Sequence, residues 1–138
     1  MKSPSEIAEI AAAQAAFAQA MGVRVVSATL DRLELAMEVT PGLLNRNGML
    51  HGGAIMALAD SAGGTATFIN IPEGFGTVTV ESKTSFFRPL ALGDEVRAVC
   101  TPLHRGRKTQ VWQTEILRPD GKLAALVIQT QMVLPPAA

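Results

Sequence analysis

The sequence predicts an α+β fold in which one antiparallel sheet covers a long apolar helix. Residues 52–69 are apolar or small on nearly every side, which is typical of a wholly buried helix. Residues 33–39 alternate between apolar and charged side chains, which indicates a half-buried strand, and residues 22–30 are its expected partner. Turn sequences separate four more strand candidates, at residues 76–88, 94–103, 109–118 and 123–134. A single sheet over one helix leaves strand edges and apolar faces, which favour pairing with a second copy of the chain.

The N-terminal residues predict a helix within residues 1–21. Ser3 is a suitable N-cap, Pro4 suits the first helical position, and Glu6 completes a capping box. Gly22 follows as an expected end of the helix. Its large apolar side chains fall near one face: Ile7, Ile10, Phe17 and Met21.

Composition indicates one folded domain covering residues 1–138, because 48% of the chain is hydrophobic and only 17% is charged. Twelve basic and twelve acidic residues cancel, so charge gives no argument for a nucleic-acid or anionic-membrane partner. The N-terminus lacks the pattern of a signal peptide, and no window approaches the ~20 apolar residues of a membrane span. The lone Cys100 is interpreted as a small buried hydrophobe. We therefore expect a cytoplasmic protein.

Asp60 stands out in the predicted central helix. It is the only acidic or basic residue, histidine aside, between Arg46 and Glu73. A buried and unpaired carboxylate costs several kcal/mol, so an ordinary core seldom retains one. Asp60 is either a solvent-facing or loop-capping residue, or a carboxylate held in a dry pocket for general-base or nucleophilic work.

The helix begins with His51, Gly52 and Gly53. Amides in the first turn lack intrahelical acceptors and carry the positive end of the dipole, so they could hold a developing oxyanion. The alternative is an ordinary loop-to-helix junction. Nine residues separate His51 from Asp60, which corresponds to ~900° of rotation and ~13.5 Å of rise. The two residues then lie on opposite faces, and if both serve one reaction they must come from different chains.

At these residues the chain resembles the hotdog-fold acyl-CoA thioesterases of the PaaI-like, phenylacetate-pathway branch. The matching pattern is an asparagine, His-Gly-Gly, and an aspartate nine residues after the histidine: Asn45, His51, Gly52, Gly53 and Asp60. The resemblance extends from about Gly22 to Val133, but only this block is specific. It implies an antiparallel sheet of five to six strands wrapped around the helix, and a homo-oligomer that is a dimer at minimum and is expected to be a tetramer. It also implies active sites between subunits.

Carried over to this chain, the resemblance assigns catalytic roles to five residues. The Gly52 amide would polarise the thioester carbonyl, and Asn45 would hold that carbonyl or the attacking water. His51 would shape the turn. Asp60 of the partner would activate water or attack the carbonyl itself, and these two routes stay open. Thr79 on the following strand would position the water; otherwise it is an ordinary strand threonine.

Coenzyme A carries phosphates, which call for cations at a surface groove. The turn of sequence HRGRKT is similar to a basic turn of the family, and alternatively is a solvated hairpin tip. The predicted substrate-binding residues are Gly53, Arg105, Gly106, Arg107 and Lys108, with Arg88 as a further candidate. No cofactor is expected beyond the coenzyme A of the substrate. No metal site is expected, because His51 and His104 have no third ligand at suitable spacing.

Three functions compete. The first is hydrolysis of a small aromatic or medium-chain acyl-CoA, and the second is a non-catalytic acyl-CoA binding module. A hotdog enoyl-CoA hydratase ranks third. The acyl group itself stays open, and most of the four phenylalanines at Phe68, Phe75, Phe86 and Phe87 are expected in the core.

Overall fold

The computed structural model describes residues 1–137 as three α-helices and six strands. The elements in chain order are α1 (Pro4–Ala12), α2 (Ala16–Ala20), β1 (Arg24–Ala28), β2 (Leu33–Glu38), α3 (Gly52–Asn70), β3 (Gly76–Phe86), β4 (Glu95–Arg105), β5 (Thr109–Leu117) and β6 (Leu123–Leu134). A 3₁₀ turn, Pro41–Leu43, precedes α3. The four strands after α3 begin and end within two residues of their predicted limits, because alternation and turn residues are local signals. Within residues 1–137 no helix is long and apolar enough to cross a membrane.

All six strands form one antiparallel sheet in the order β1-β2-β4-β5-β6-β3. The strands β1 and β3 are therefore its edges. The sheet wraps around α3, which is the hotdog architecture that the sequence predicts. Its inner face and the helix share one core, in which the largest fully buried side chains include Leu58, Trp112 and Ile116.

The central helix is not buried on every side as expected. Residues at spacings of three to four along α3 form a stripe that is open to solvent in the protomer. It consists of exposed Gly53, Met56, Asp60 and Phe68 with half-buried Gly64. Asp60 lies in the middle of this stripe, which we call the open stripe.

The N-terminal segment forms two helices where one is predicted. The capping box is present: Ser3 Oγ accepts from Glu6 N at 3.2 Å and Ser3 N donates to Glu6 Oε2 at 2.6 Å. The helix is then interrupted because Gln14 Nε2 donates to Ala11 O at 2.9 Å and to Thr65 Oγ1 of α3 at 3.0 Å. This tertiary contact overrides the high helix propensity of the surrounding alanines. Phe17, predicted on the buried face, is 66% exposed.

Candidate active site

The start of α3 presents one free backbone donor. His51 is the N-cap, and its Nδ1 accepts from Gly53 N at 2.8 Å. The N–H of half-buried Gly52 has no acceptor within residues 1–137. The cap therefore uses the Gly53 amide and leaves the Gly52 amide, at the positive end of the helix dipole, to receive an oxygen from outside the chain.

Asn45 holds the loop that leads into this helix. Its Oδ1 accepts from Asn47 N at 2.9 Å and from Met49 N at 3.1 Å, and its backbone N donates to Met49 O at 2.7 Å. The side-chain oxygen is thus committed to the loop. The Nδ2 donor of this half-buried residue is the part of Asn45 that can contact a substrate.

Asn45 and Gly52 line one cleft of about 440 Å³ together with Phe86, Phe87 and Arg88. A Cβ placed on Gly52 would lie 3.3 Å from the Phe86 ring, so the aromatic ring lies close beside Gly52. The two phenylalanines are 53% and 54% exposed, and not in the core as expected. Their position beside the amide gives the cleft an apolar wall.

Asp60 makes a direct contact with Thr79. Thr79 Oγ1 donates to Asp60 Oδ1 at 2.7 Å, and Gln129 Nε2 approaches the same oxygen at 3.4 Å. The other carboxylate oxygen, Oδ2, has no hydrogen-bond partner within residues 1–137. Because Asp60 is exposed on the open stripe, a single protomer does not supply the dry pocket that the sequence suggests.

Asp60 and Gly52 lie apart in the protomer. Eight residues of helix separate them, which is a rise of ~12 Å, and the cleft that contains Gly52 does not include Asp60. One substrate atom cannot contact both groups within a single chain.

In the basic turn between β4 and β5, one cationic side chain is hydrogen-bonded within residues 1–137 of the protomer and two are not. Arg105 Nη1 donates to Asp31 Oδ1 at 2.8 Å, to Leu30 O at 3.0 Å and to Asn70 Oδ1 at 3.3 Å, so this guanidinium ties the turn to the end of α3. Arg107 and Lys108 are exposed and make no side-chain hydrogen bond or ion pair within residues 1–137. Of the three predicted cations in this turn, two are therefore available to a phosphate.

Gly106 is explained by the turn itself. A Cβ at this position would lie 2.7 Å from His104 Nε2 and 2.9 Å from Thr109 O, and Gly106 N donates to Thr109 O at 2.9 Å. Arg88, the other predicted cation, lines the cleft and donates from Nη1 to Leu123 O at 2.7 Å. Within residues 1–137 no three His, Cys, Asp or Glu side chains are grouped to hold a metal ion.

The basic turn and the free amide lie at opposite ends of α3. Arg105 contacts Asn70, the last residue of the helix, whereas Gly52 is the first. The helix rise between them is ~27 Å. The cations of one protomer therefore do not lie beside its own Gly52.

Sequence reasoning missed the polar side chains beneath Asp60. Gln129 and Gln131 are each 1% exposed, and both point from β6 towards α3. Two glutamines at alternate positions of an otherwise apolar inner face were visible in the sequence as a departure from the strand pattern. Their partners could not be read from the sequence.

A six-stranded sheet wrapped on a helix, with a carboxylate and a free N-terminal amide on that helix, defines a hotdog-fold protein of the thioesterase class. Residues 47–125 match the Thioesterase superfamily, and the chain belongs to this family. It is a thioester hydrolase.

Named relatives agree with this class. The chain is 35% identical over 102 residues to the proofreading thioesterase EntH of Cronobacter turicensis, covering 74% of each chain. It is 36% identical over 104 residues to the 1,4-dihydroxy-2-naphthoyl-CoA hydrolase of Escherichia coli, covering 75% of this chain and 76% of the relative. The structure of the E. coli PaaI protein from the phenylacetic acid degradation operon superposes with a TM-score of 0.87 at 27% identity, covering 97% of this chain and 95% of PaaI.

Proposed function

We propose that the protein hydrolyses acyl-CoA thioesters at a site shared between two protomers. The observation that carries the proposal is the pair of free groups on one helix: the Gly52 N–H beside an apolar cleft, and Asp60 Oδ2 on the open stripe. One group suits an oxyanion and the other suits a water molecule or a carbonyl carbon. Their separation of ~12 Å along the helix requires a second chain to bring them together.

The edge strand β3 is the proposed dimer contact. Its outer side carries Val78 and Val80, which are 47% and 52% exposed, beside an unpaired strand edge. Pairing two copies of β3 antiparallel about a two-fold axis sets the two α3 helices antiparallel. We place the two-fold axis at Met56. A residue four positions before Met56 in one helix then faces the residue four positions after it in the other helix, so Asp60 of one protomer faces Gly52 of the other. Met56 lies on the open stripe and is 41% exposed.

In this arrangement the reaction follows from the free groups. The Gly52 amide donates to the thioester oxygen as it gains negative charge, and Asn45 holds the carbonyl or the water. Asp60 either takes a proton from water as that water attacks the carbonyl carbon, or attacks the carbon itself to form an anhydride that water then cleaves. In both routes the C–S bond breaks, coenzyme A leaves as its thiol, and the acyl group becomes an acid. His51 holds the turn through Gly53.

The cleft walls and the relatives indicate the substrate class. Phe86 and Phe87 beside Gly52 suit a small aromatic or a medium-chain acyl group. The PaaI and dihydroxynaphthoyl-CoA names favour the aromatic one. Arg107 and Lys108 would contact the coenzyme A phosphates, no cofactor is needed, and a cytoplasmic location suits a coenzyme A ester.

Thiol release from matched aryl and alkyl CoA esters tests the proposal. We expect Asp60→Asn to lower kcat at least ~100-fold, the usual scale of a lost general base, while Glu38→Gln on the exposed end of β2 serves as the charge-matched control. Undiminished turnover in a folded Asp60→Asn protein overturns the mechanism. Tight acyl-CoA binding without cleavage by the unaltered protein would favour the binding module, and hydration of an enoyl-CoA would favour the hydratase.

Mixed oligomers test the shared site. Gly52→Pro removes the amide proton at the first helical position, where proline is tolerated, and Gly52→Ala adds a Cβ but keeps the amide. Mixing inactive Asp60→Asn chains with inactive Gly52→Pro chains should restore about a quarter of the activity. Half of the dimers in the mixture are hybrids, and each hybrid has one intact site and one defective site. A mixture that stays inactive after subunit exchange contradicts the shared site.

A further inference from the structure

A chain of hydrogen bonds leads from β6 to Asp60. Thr77 Oγ1 lies 2.9 Å from Gln131 Oε1, Gln131 Nε2 lies 2.6 Å from Thr79 Oγ1, and Thr79 Oγ1 lies 2.7 Å from Asp60 Oδ1. Gln131 is 1% exposed, and both ends of its amide are partnered. Thr79 and Gln131 are directly opposite each other in the β3–β6 ladder, so their side chains share the inner face of the sheet.

The number of available protons decides which group donates in each of these hydrogen bonds. An ionised Asp60 only accepts, so the single hydroxyl proton of Thr79 lies on the contact with Asp60 Oδ1. Thr79 Oγ1 then has only lone pairs left for Gln131, which must present its N–H there. The Gln131 oxygen consequently faces Thr77, whose hydroxyl lies within donating distance of that oxygen at 2.9 Å and of Met132 O at 3.0 Å. An acceptor-only carboxylate thus sets the direction of the two hydrogen bonds that join Gln131, Thr79 and Asp60.

We infer that Gln131 is a positioning residue for the carboxylate. By donating to Thr79 Oγ1, it prevents that hydroxyl from donating elsewhere and holds it on Asp60 Oδ1, so that Oδ2 is the oxygen directed at the water or the carbonyl. This inference rests on the proposed function, because it concerns the reactive oxygen of the same site. It also changes the role of Thr79, which orients the carboxylate and not the water.

Two features of the strands support this role. The β3–β6 register shifts between Thr79 and Glu81, and such bulges re-aim a side chain next to a site. Gln129, the other buried glutamine, contacts Asp60 only at 3.4 Å, and its Oε1 has no partner within residues 1–137. Gln131 and Thr79 therefore make the short hydrogen bonds near Asp60, and both polar atoms of the Gln131 amide have partners.

Paired substitutions separate positioning from packing. Thr79→Val and Gln131→Met keep the shape of each side chain but remove the hydroxyl or the amide, whereas Thr79→Ser keeps the hydroxyl. Thr130→Val is the control, because this residue is on the same strand as Gln131 and points to the other face of the sheet. We expect the first two variants to lose kcat roughly 10- to 100-fold, as for a reacting group misplaced by about 1 Å, with KM within about twofold. Thr79→Ser should retain clearly more kcat than Thr79→Val, and Thr130→Val should match the unaltered enzyme.

A second readout does not depend on turnover. The side-chain amide resonances of Gln131 in an NMR spectrum should shift in Thr79→Val and in Asp60→Asn, but not in Thr79→Ser or Thr130→Val. This measurement also applies if Gln131→Met does not fold.

The outcomes distinguish the two proposals. Full kcat in folded Gln131→Met, or equal losses in Thr79→Ser and Thr79→Val, overturns the positioning role even if Asp60→Asn is inactive. If Asp60→Asn retains full activity, the proposed function fails, and the NMR shifts alone then decide whether the Gln131–Thr79–Asp60 chain exists. Unchanged Gln131 resonances in Thr79→Val overturn it.

Discussion

The side-chain amide of Gln129 occupies the space that a side chain on Gly63 would need. A Cβ built on Gly63 would lie 2.3 Å from Gln129 Cδ and 2.4 Å from its Oε1. Gly63 is buried against β6, whereas a Cβ added to the neighbouring Gly64, on the open stripe, would meet no other element of residues 1–137 within 4 Å. Gly63 therefore leaves room for the side chain of Gln129 beneath Asp60.

The two adjacent glycines make a matched pair for mutation. Gly63→Ala should lower the free energy of unfolding by about 1–3 kcal/mol, because the added methyl displaces Gln129. Gly64→Ala meets no such contact and should change stability by no more than about 1 kcal/mol, in the stabilising direction expected from helix propensity. Urea unfolding measures both. Adding Gln129→Ala to Gly63→Ala should recover part of the loss, and equal stability of the two single variants would contradict this account.

The His51 cap predicts a graded effect on stability. His51→Ala removes the acceptor of the Gly53 N–H and should cost about 1 kcal/mol, whereas His51→Asn supplies another capping oxygen and should cost less. Thermal unfolding ranks the two variants. Because the same turn orients the Gly52 amide, kcat should follow the order of stability. An alanine variant as stable as the unaltered protein would show that the cap contributes nothing.

The basic turn predicts that neighbouring cations differ in role. Arg107→Gln and Lys108→Gln should raise KM for coenzyme A esters roughly two- to fivefold, as for exposed ion pairs, and leave kcat and stability unchanged. Arg105→Gln should instead lower stability by up to about 1 kcal/mol, because it loses the contacts with Asp31 and Asn70. Kinetics at two salt concentrations, with Lys122→Gln as the control, test the assignment. A rise in KM for Arg105→Gln alone would reverse it.

We expect the Cys100 thiol to be unreactive in the folded protein. The side chain is fully buried, and burial raises the pKa of the Cys100 thiol to about 12, so almost no thiolate exists at pH 8. A disulfide reagent should react slowly with the folded protein and release one thiol equivalent per chain once urea unfolds it. Rapid reaction of the folded chain at pH 8 would contradict the burial. The interpretation of Cys100 as a small buried hydrophobe is confirmed.

Local patterns were sufficient for much of the fold. Strand alternation and turn residues predicted β3 to β6 within two residues, and the apolar run predicted α3 with its end at residue 69 instead of Asn70. The N-terminal prediction was less accurate, since residues 1–21 carry strong helix signals and the break at Gln14 depends on a contact with Thr65. Propensity cannot register a partner 51 residues away in the chain.

The sequence by itself determined which residue types stand at the start and middle of the central helix, since spacing along a helix is a property of the chain alone. That spacing is enough to keep Asp60 and Gly52 of one chain apart along the helix axis. Only the tertiary structure decided what those residues contact. Gln131 reaches Thr79 across 52 residues, and Thr79 reaches Asp60 across 19, because the sheet order sets β3 beside β6 and curls both over α3. Such contacts depend on strand order and register, which a local pattern does not encode.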